Sequence, residues 1–225
     1  MRSSLLVVLC FLLASPSLAQ HSGGGLKGGL RFTDYTGGEV STGVKLGWEA
    51  GVFGRIQLSR LILFQLEGGY TPLGDYTLTS QYDAGEDPVY GPVILERRTA
   101  LEAAFVDLPL LASALIPAGD AEVVWIRLGA GGATGIRTSC TIATRSRTVT
   151  SEGTVVSENL ERADCPAGTA SVTFSPVVGG GLDVHVGRYV VVTDLRYEFG
   201  LTSMLPSAGG RFRGISMTAG MGMRF

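Results

Sequence analysis

The side chains of this chain that are able to do chemistry fall into three groups. Lys27, Arg31, Lys45, Glu49, Arg55, Glu67, Glu102, Arg127, Arg137, Asp183, Asp194, Arg196 and Glu198 all stand on the polar side of alternating apolar and polar stretches. Successive side chains of a strand point to opposite faces, so these acids and bases are expected to share one surface and to pair there. Asp194, Arg196 and Glu198 form the sharpest set, and they read as structural ion pairing, with a proton or small-ion path as the alternative. The second group is Cys140 and Cys165. No histidine or further thiol stands near them at ligand spacing, so a disulfide is expected rather than a metal site. The third group is the two histidines, His21 and His185. One lies in a glycine-rich lead and the other at a strand end, and neither has a serine and an acid beside it in sequence. The chain therefore reads as non-enzymatic.

Glycine runs at Gly129-Ala130-Gly131-Gly132 and Gly179-Gly180-Gly181 lack the following helix and the lysine of a phosphate cradle. Close strand packing explains them, and no cofactor or metal is expected.

These residues need strands to position them, and the chain supplies eight. Strand one alternates over Leu26 to Thr33, strand two over Val44 to Ile56, and strand three over Ile62 to Thr71. Phe53 interrupts the polar side of strand two and is expected to fill interior space. Strand four runs from Arg98 to Leu115 with a shift of parity that a β-bulge near Ala104 would reconcile. Strands five, six and seven cover Val124 to Arg137, Val172 to Val184 and Val191 to Leu201, and the last is Arg213 to Phe225. Between them, Asp34–Thr42, Gly74–Arg97, Thr138–Gly168 and Ser203–Gly210 read as longer loops. Ser59-Arg60, Ile116–Ala121 and Val186–Arg188 read as short turns. Long and short connections thus alternate, as in up-and-down membrane barrels.

Length and composition agree with one such domain. The chain has 225 residues, 33 glycines and only 17% charged residues, with mean hydropathy +0.28. Arg2, the apolar run Leu5 to Leu13 and Ser17-Leu18-Ala19 give residues 1–19 the pattern of a signal peptide. That run is too short to span a bilayer as a helix. Residues 20–225 are then the barrel domain. The formal net charge of −2 suggests no nucleic-acid partner.

Parity leaves open which face is inside. In a soluble lipocalin-like barrel the charges would face water and the apolar side would form a cup. In a membrane barrel the charges point inward and the apolar side meets lipid. The signal peptide, the strand lengths and the alternating connections favour the second arrangement. The final strand also resembles the terminal signal strand of bacterial outer-membrane barrels, with Met223 and Phe225 as the residues the insertion machinery would read. The expected fold is an all-β, eight-stranded antiparallel up-and-down transmembrane β-barrel, monomeric, in the outer membrane, with both termini periplasmic.

Phe105-Val106-Asp107-Leu108-Pro109-Leu110-Leu111 is similar to a segment of the PorT-like, porin-family outer-membrane barrel domains of Bacteroidetes-type bacteria. Gly179-Gly180-Gly181-Leu182-Asp183, followed by Asp194-Leu195-Arg196-Tyr197-Glu198-Phe199-Gly200-Leu201-Thr202, resembles that family's "GxGL … xxRYxxGLT" region. The resemblance covers the second half of the chain. It implies an outer-membrane barrel and, since some relatives assist secretion, an envelope or secretion-system partner; it carries over no functional residue. The family's porin label implies a narrow diffusion channel as an alternative, against which eight strands argue because wide pores need about sixteen. Tyr76, Tyr82, Tyr90 and the Cys140–Cys165 segment are expected to offer loop contact surface.

Overall fold

The computed structural model describes residues 21–36, 42–87, 89–119, 123–150, 152–205 and 210–225, so the expected signal peptide lies outside the described residues. The strands are β1 (His21–Thr36), β2 (Thr42–Ser59), β3 (Ile62–Asp87), β4 (Gly91–Pro117), β5 (Val124–Thr150), β6 (Val155–Asp164), β7 (Val172–Val186), β8 (Tyr189–Leu205) and β9 (Gly210–Arg224). Eight of them close into a ring in the order β1-β2-β3-β4-β5-β7-β8-β9, with β9 pairing back onto β1. Every pairing is antiparallel. β6 stands outside this ring, paired to the part of β5 that β7 does not reach.

The two faces of the ring have opposite chemistry. Leu26, Trp48, Leu66, Leu110, Leu128, Val178, Leu195 and Met217, one from each ring strand, point outward and are half or more exposed. Each such side chain gains roughly 1.5–3 kcal/mol on leaving water. An apolar belt that encircles the molecule is therefore stable against lipid and not against water. This corrects the lipocalin-like alternative, whose apolar face would have turned inward.

The interior is filled in layers. Leu63, Leu115 and Trp125 pack together near the end that carries the termini, as do Phe53, Val190 and Val192. The charged residues occupy the middle, with Leu111, Ala133 and Val177 as an apolar contact beside them. Leu101, Ala103, Phe105 and Phe212 close the far end, where Cys140, Ile142 and Cys165 pack onto them. Tight curvature crowds inward Cβ positions. A Cβ on Gly181 would stand 1.8 Å from the Thr193 carbonyl oxygen, and one on Gly29 would stand 2.0 Å from that of Met217. Glycine there lets the strands approach beside large charged side chains.

Two expectations need correction. The segments Gly74–Arg97 and Thr138–Gly168 are largely strand rather than loop: β3 and β4 pair as far as Asp87 and Gly91, and β4 and β5 as far as Val93 and Thr150. With β6 they form a four-stranded sheet that continues the barrel wall beyond the apolar belt. Its turns carry their own chemistry, since Asp87 Oδ1 accepts from the amides of Val89 at 2.8 Å and Tyr90 at 3.1 Å, and Gly91 has φ 72°.

The second correction concerns β4. The register irregularities near Ala104 lie on its neighbours, at Leu73/Tyr76 of β3 and where β5 passes from Arg137 to Ser139. β4 itself keeps one parity, with Leu101, Ala103, Phe105, Pro109, Leu111, Ser113 and Leu115 all buried inside. What changes near Ala104 is the surrounding medium. Above it the outer face meets water, so polarity inverts and the apolar residues turn inward.

Candidate functional site

The barrel interior is the one place where the candidate residues converge. They arrive on seven of the ring strands, because alternation points every second residue inward. β1 brings Lys27 and Arg31, β2 brings Glu49 and Arg55, β3 brings Gln65 and Glu67, and β4 brings Asp107. β5 brings Arg127, β7 brings Asp183, and β8 brings Asp194, Arg196 and Glu198.

Nearest the termini, Arg55 donates to Asp183 at 2.7 Å and through Nε to Gln65 Oε1 at 3.1 Å. Arg127 donates to the same Gln65 oxygen at 2.9 Å, lies 3.4 Å from Asp183 and bonds to Asp194. Gln65 is thus a neutral hub between two arginines, and its own amide donates to Glu67. Arg55 also stacks over Phe53, 4.9 Å from the ring centroid. In the next layer Arg196 grips Glu67 at 2.7 and 2.6 Å and reaches Asp194 at 2.9 Å, while Lys27 pairs with Glu67. Toward the far end Arg31 bonds to Glu198, donates to Asp107 at 3.1 Å and lies 3.7 Å from Glu49. A bidentate guanidinium–carboxylate pair is among the strongest of these bonds. An unpaired charge at such a depth would cost several kcal/mol, so the mutual satisfaction is what makes the interior tolerable.

Two small spaces lie among these side chains. A cavity of about 20 Å³ lies among Lys27, Arg31, Glu49, Glu67, Asp107 and Glu198, and one of about 10 Å³ lies beside Ser113, Arg127 and Asp194. The first has room for about one or two waters.

Glu49, Arg55, Glu67, Arg127, Asp183, Asp194, Arg196 and Glu198 therefore come together in the interior. Glu102 does not: it is exposed, on the outer face of β4, because inversion of polarity at Ala104 puts charge outside there. Arg137 is set apart as well, donating to the Thr169 carbonyl at 3.1 Å. Asp107 and Gln65 stand on the polar side of the alternation in strands four and three but are not among the residues expected in the cluster. Asp107 shares its parity with Pro109, which masked it, and a neutral Gln gives no charge signal.

Elsewhere, Cys140 and Cys165 stand at disulfide distance, with Cα atoms 5.6 Å apart. Met223 and Phe225 are exposed at the end of β9, where the Phe225 amide donates to the Ser22 carbonyl at 2.8 Å. His185 lies 3.2 Å from Arg224 and against Trp125. Among the described residues no group of acids, histidines and cysteines could hold a metal ion. Tyr82 and Tyr90 are exposed, and the Tyr76 side chain lies outside the described residues.

A closed ring with an apolar outer belt and a paired ionic interior defines the class: an eight-stranded transmembrane β-barrel. Among solved structures, the chain is similar to Ail, the attachment invasion locus protein of Yersinia pestis, at 12% identity over 91% of this chain and 99% of that one, TM-score 0.38. It is also similar to Neisserial surface protein A, at 9% identity over 90% and 97%, TM-score 0.43. The N-terminal β-barrel domain of Pseudomonas aeruginosa OprF is similar at 11% identity over 88% and 97%, TM-score 0.34. No protein-family model and no curated protein matches the chain.

Proposed function

We propose that this chain is an integral outer-membrane barrel that acts by contact and not by catalysis or conduction. The barrel anchors, and the sheet made by the outer parts of β3, β4 and β5 with β6 presents the contact surface. The observation that carries this reading is the division of the molecule. The interior is closed by side chains, whereas the sheet beyond the belt exposes Tyr82, Val89, Tyr90 and Leu160. Exposed aromatic and apolar groups on a projecting hairpin are the usual material of recognition.

On this reading the termini are periplasmic, Met223 and Phe225 form the insertion signal, and residues 1–19 are removed on export. Cys140 and Cys165 are oxidised, which suits an exported chain. The PorT-like resemblance is consistent with this placement, since Phe105–Leu111 lies in β4 and Gly179–Asp183 and Asp194–Thr202 lie in the adjacent strands β7 and β8. An envelope or secretion-system partner stays within that reading.

The test is cold against boiled gel mobility of the outer-membrane fraction, before and after surface protease. Heat-modifiable migration with cleavage confined to residues 74–97 and 138–168 supports the proposal. A soluble periplasmic protein with no mobility shift overturns it.

A further inference from the structure

β6 is an open edge. Among the described residues it pairs with β5 alone, and the sheet order ends on it. An unpaired edge strand offers a row of free amides and carbonyls to another strand, and natural edges are commonly guarded by charge. On β6 the charges are Glu158, Glu161, Arg162 and Asp164, arranged around Leu160, which is half exposed.

This arrangement is self-complementary in one register. If two copies of β6 run antiparallel about a two-fold axis at Leu160, Glu158 of each faces Arg162 of the other, and Leu160 faces Leu160. Asn159 then faces Glu161 on the opposite side of the ribbon. Moving the register by one residue sets Glu158 against Glu161 in one direction and Leu160 against Glu161 in the other. Directly opposed unlike charges each contribute roughly 0.2–1 kcal/mol, and like charges destabilise. The guard charges thus exclude other strands and fit a second copy of this chain.

We propose that β6 is a homotypic docking edge, joining two copies through an antiparallel β6–β6 ribbon centred on Leu160. The inference rests on the surface-contact reading above and names its partner. The direction of approach follows from the symmetry. The two-fold axis of an antiparallel strand pair is normal to its sheet, and β5 keeps β4 as its partner from the ring (Pro117 with Trp125) to the far end (Val93 with Thr150), through one register shift at Ala104/Phe105. The sheet therefore continues the upright barrel wall, and the axis lies in the membrane plane. The two copies are anchored in opposing membranes and meet head to head. One ribbon is a small interface, so adhesion depends on many copies acting together.

The experiment uses the full chain in proteoliposomes, with heat-modifiable mobility as the check that each variant has folded, and reads vesicle clustering by light scattering. Wild-type vesicles are expected to cluster. Glu158→Arg vesicles and Arg162→Glu vesicles are each expected to lose clustering at least tenfold, because both present like charges across the axis. Mixing the two variants restores it, since one copy then carries arginine at both positions and the other carries glutamate at both, so that each arginine faces a glutamate. Glu158 also pairs with Arg145 at 3.2 Å, whereas among the described residues no ion pair involves Arg162, so the mixed sample separates docking from local damage. Folded wild-type barrels that do not cluster, or a mixture that stays dispersed, overturn the proposal while leaving the barrel reading standing. Absence of the mobility shift would overturn the barrel reading itself.

Discussion

Arg196 and Glu67 clasp each other across the full width of the barrel. β8 and β3 are four places apart in a ring of eight, so they face each other across the axis. The two parallel bonds of 2.7 and 2.6 Å form a strut through the interior. Arg55 of β2 and Asp183 of β7 repeat the relationship one layer nearer the termini, again between strands four places apart. The charged core therefore ties opposite walls, where the backbone ladder ties only neighbours.

Removing one end of that strut leaves a buried carboxylate short of its main partner. Arg196→Met is expected to cost about 3–5 kcal/mol. The measurement is a urea titration of the folded, heat-modifiable band. Replacing Lys27, Glu67 and Arg196 together by Met, Leu and Met removes the three charges joined at Glu67, leaves Asp194 paired with Arg127, and is expected to cost less than the single change. A single change costing under about 1 kcal/mol would show that water already screens the strut.

Conduction is expected to be absent. Apolar layers close the interior at both ends, around Phe53, Val190 and Val192 on one side and Phe105 and Phe212 on the other. Among the described residues, the two spaces beside the charged side chains hold about 20 and 10 Å³, which suits water and no hydrated ion. Planar-bilayer recordings should show no steady conductance above the lipid background, and open channels scaling with protein concentration would contradict the packing.

The inversion of polarity along β4 locates a membrane boundary. Leu108 points outward within the apolar belt, whereas Glu102 points outward above it. A water-soluble maleimide should therefore label Glu102→Cys in intact vesicles and leave Leu108→Cys unlabelled until detergent is added. Equal labelling at both positions would place the boundary elsewhere.

The same inversion explains what the sequence could and could not disclose. Ring strands are legible because lipid on one side and paired charge on the other enforce alternation, as at Leu195-Arg196-Tyr197-Glu198. The apolar Leu101 and Ala103 break that rule only because water replaces lipid outside them, and a sequence shows the break without its cause. The outer halves of β3, β4 and β5 meet water rather than lipid on their outer face, so their polar, turn-rich composition looks like loop. The interior cluster was legible as a face but not as pairs. Nothing in the local pattern tells Arg196 that its partner is Glu67, because closure of the ring, not spacing, brings them together.

The cysteine pair bears on the outer sheet and not on the barrel. Cys140 and Cys165 are separated by 25 positions and enclose all of β6. Both pack on the cluster of Leu101, Ala103, Phe105 and Phe212 that closes the far end. Linking positions so separated removes about 3–4 kcal/mol of loop freedom from the opened state. The ring ladder continues below the pair through Ile136 and Val172, so its own bonds do not depend on the link. Reduction, or replacement of both cysteines by serine, should therefore raise the rate of limited proteolysis within residues 141–164 at least tenfold. The temperature of the heat-modifiable shift should stay within a few degrees of its starting value, because that shift reports on the eight-stranded ring. A joint loss of both properties would mean that the link holds the barrel mouth as well as β6, and equal proteolysis with and without reductant would mean that the β5–β6 pairing holds the segment unaided.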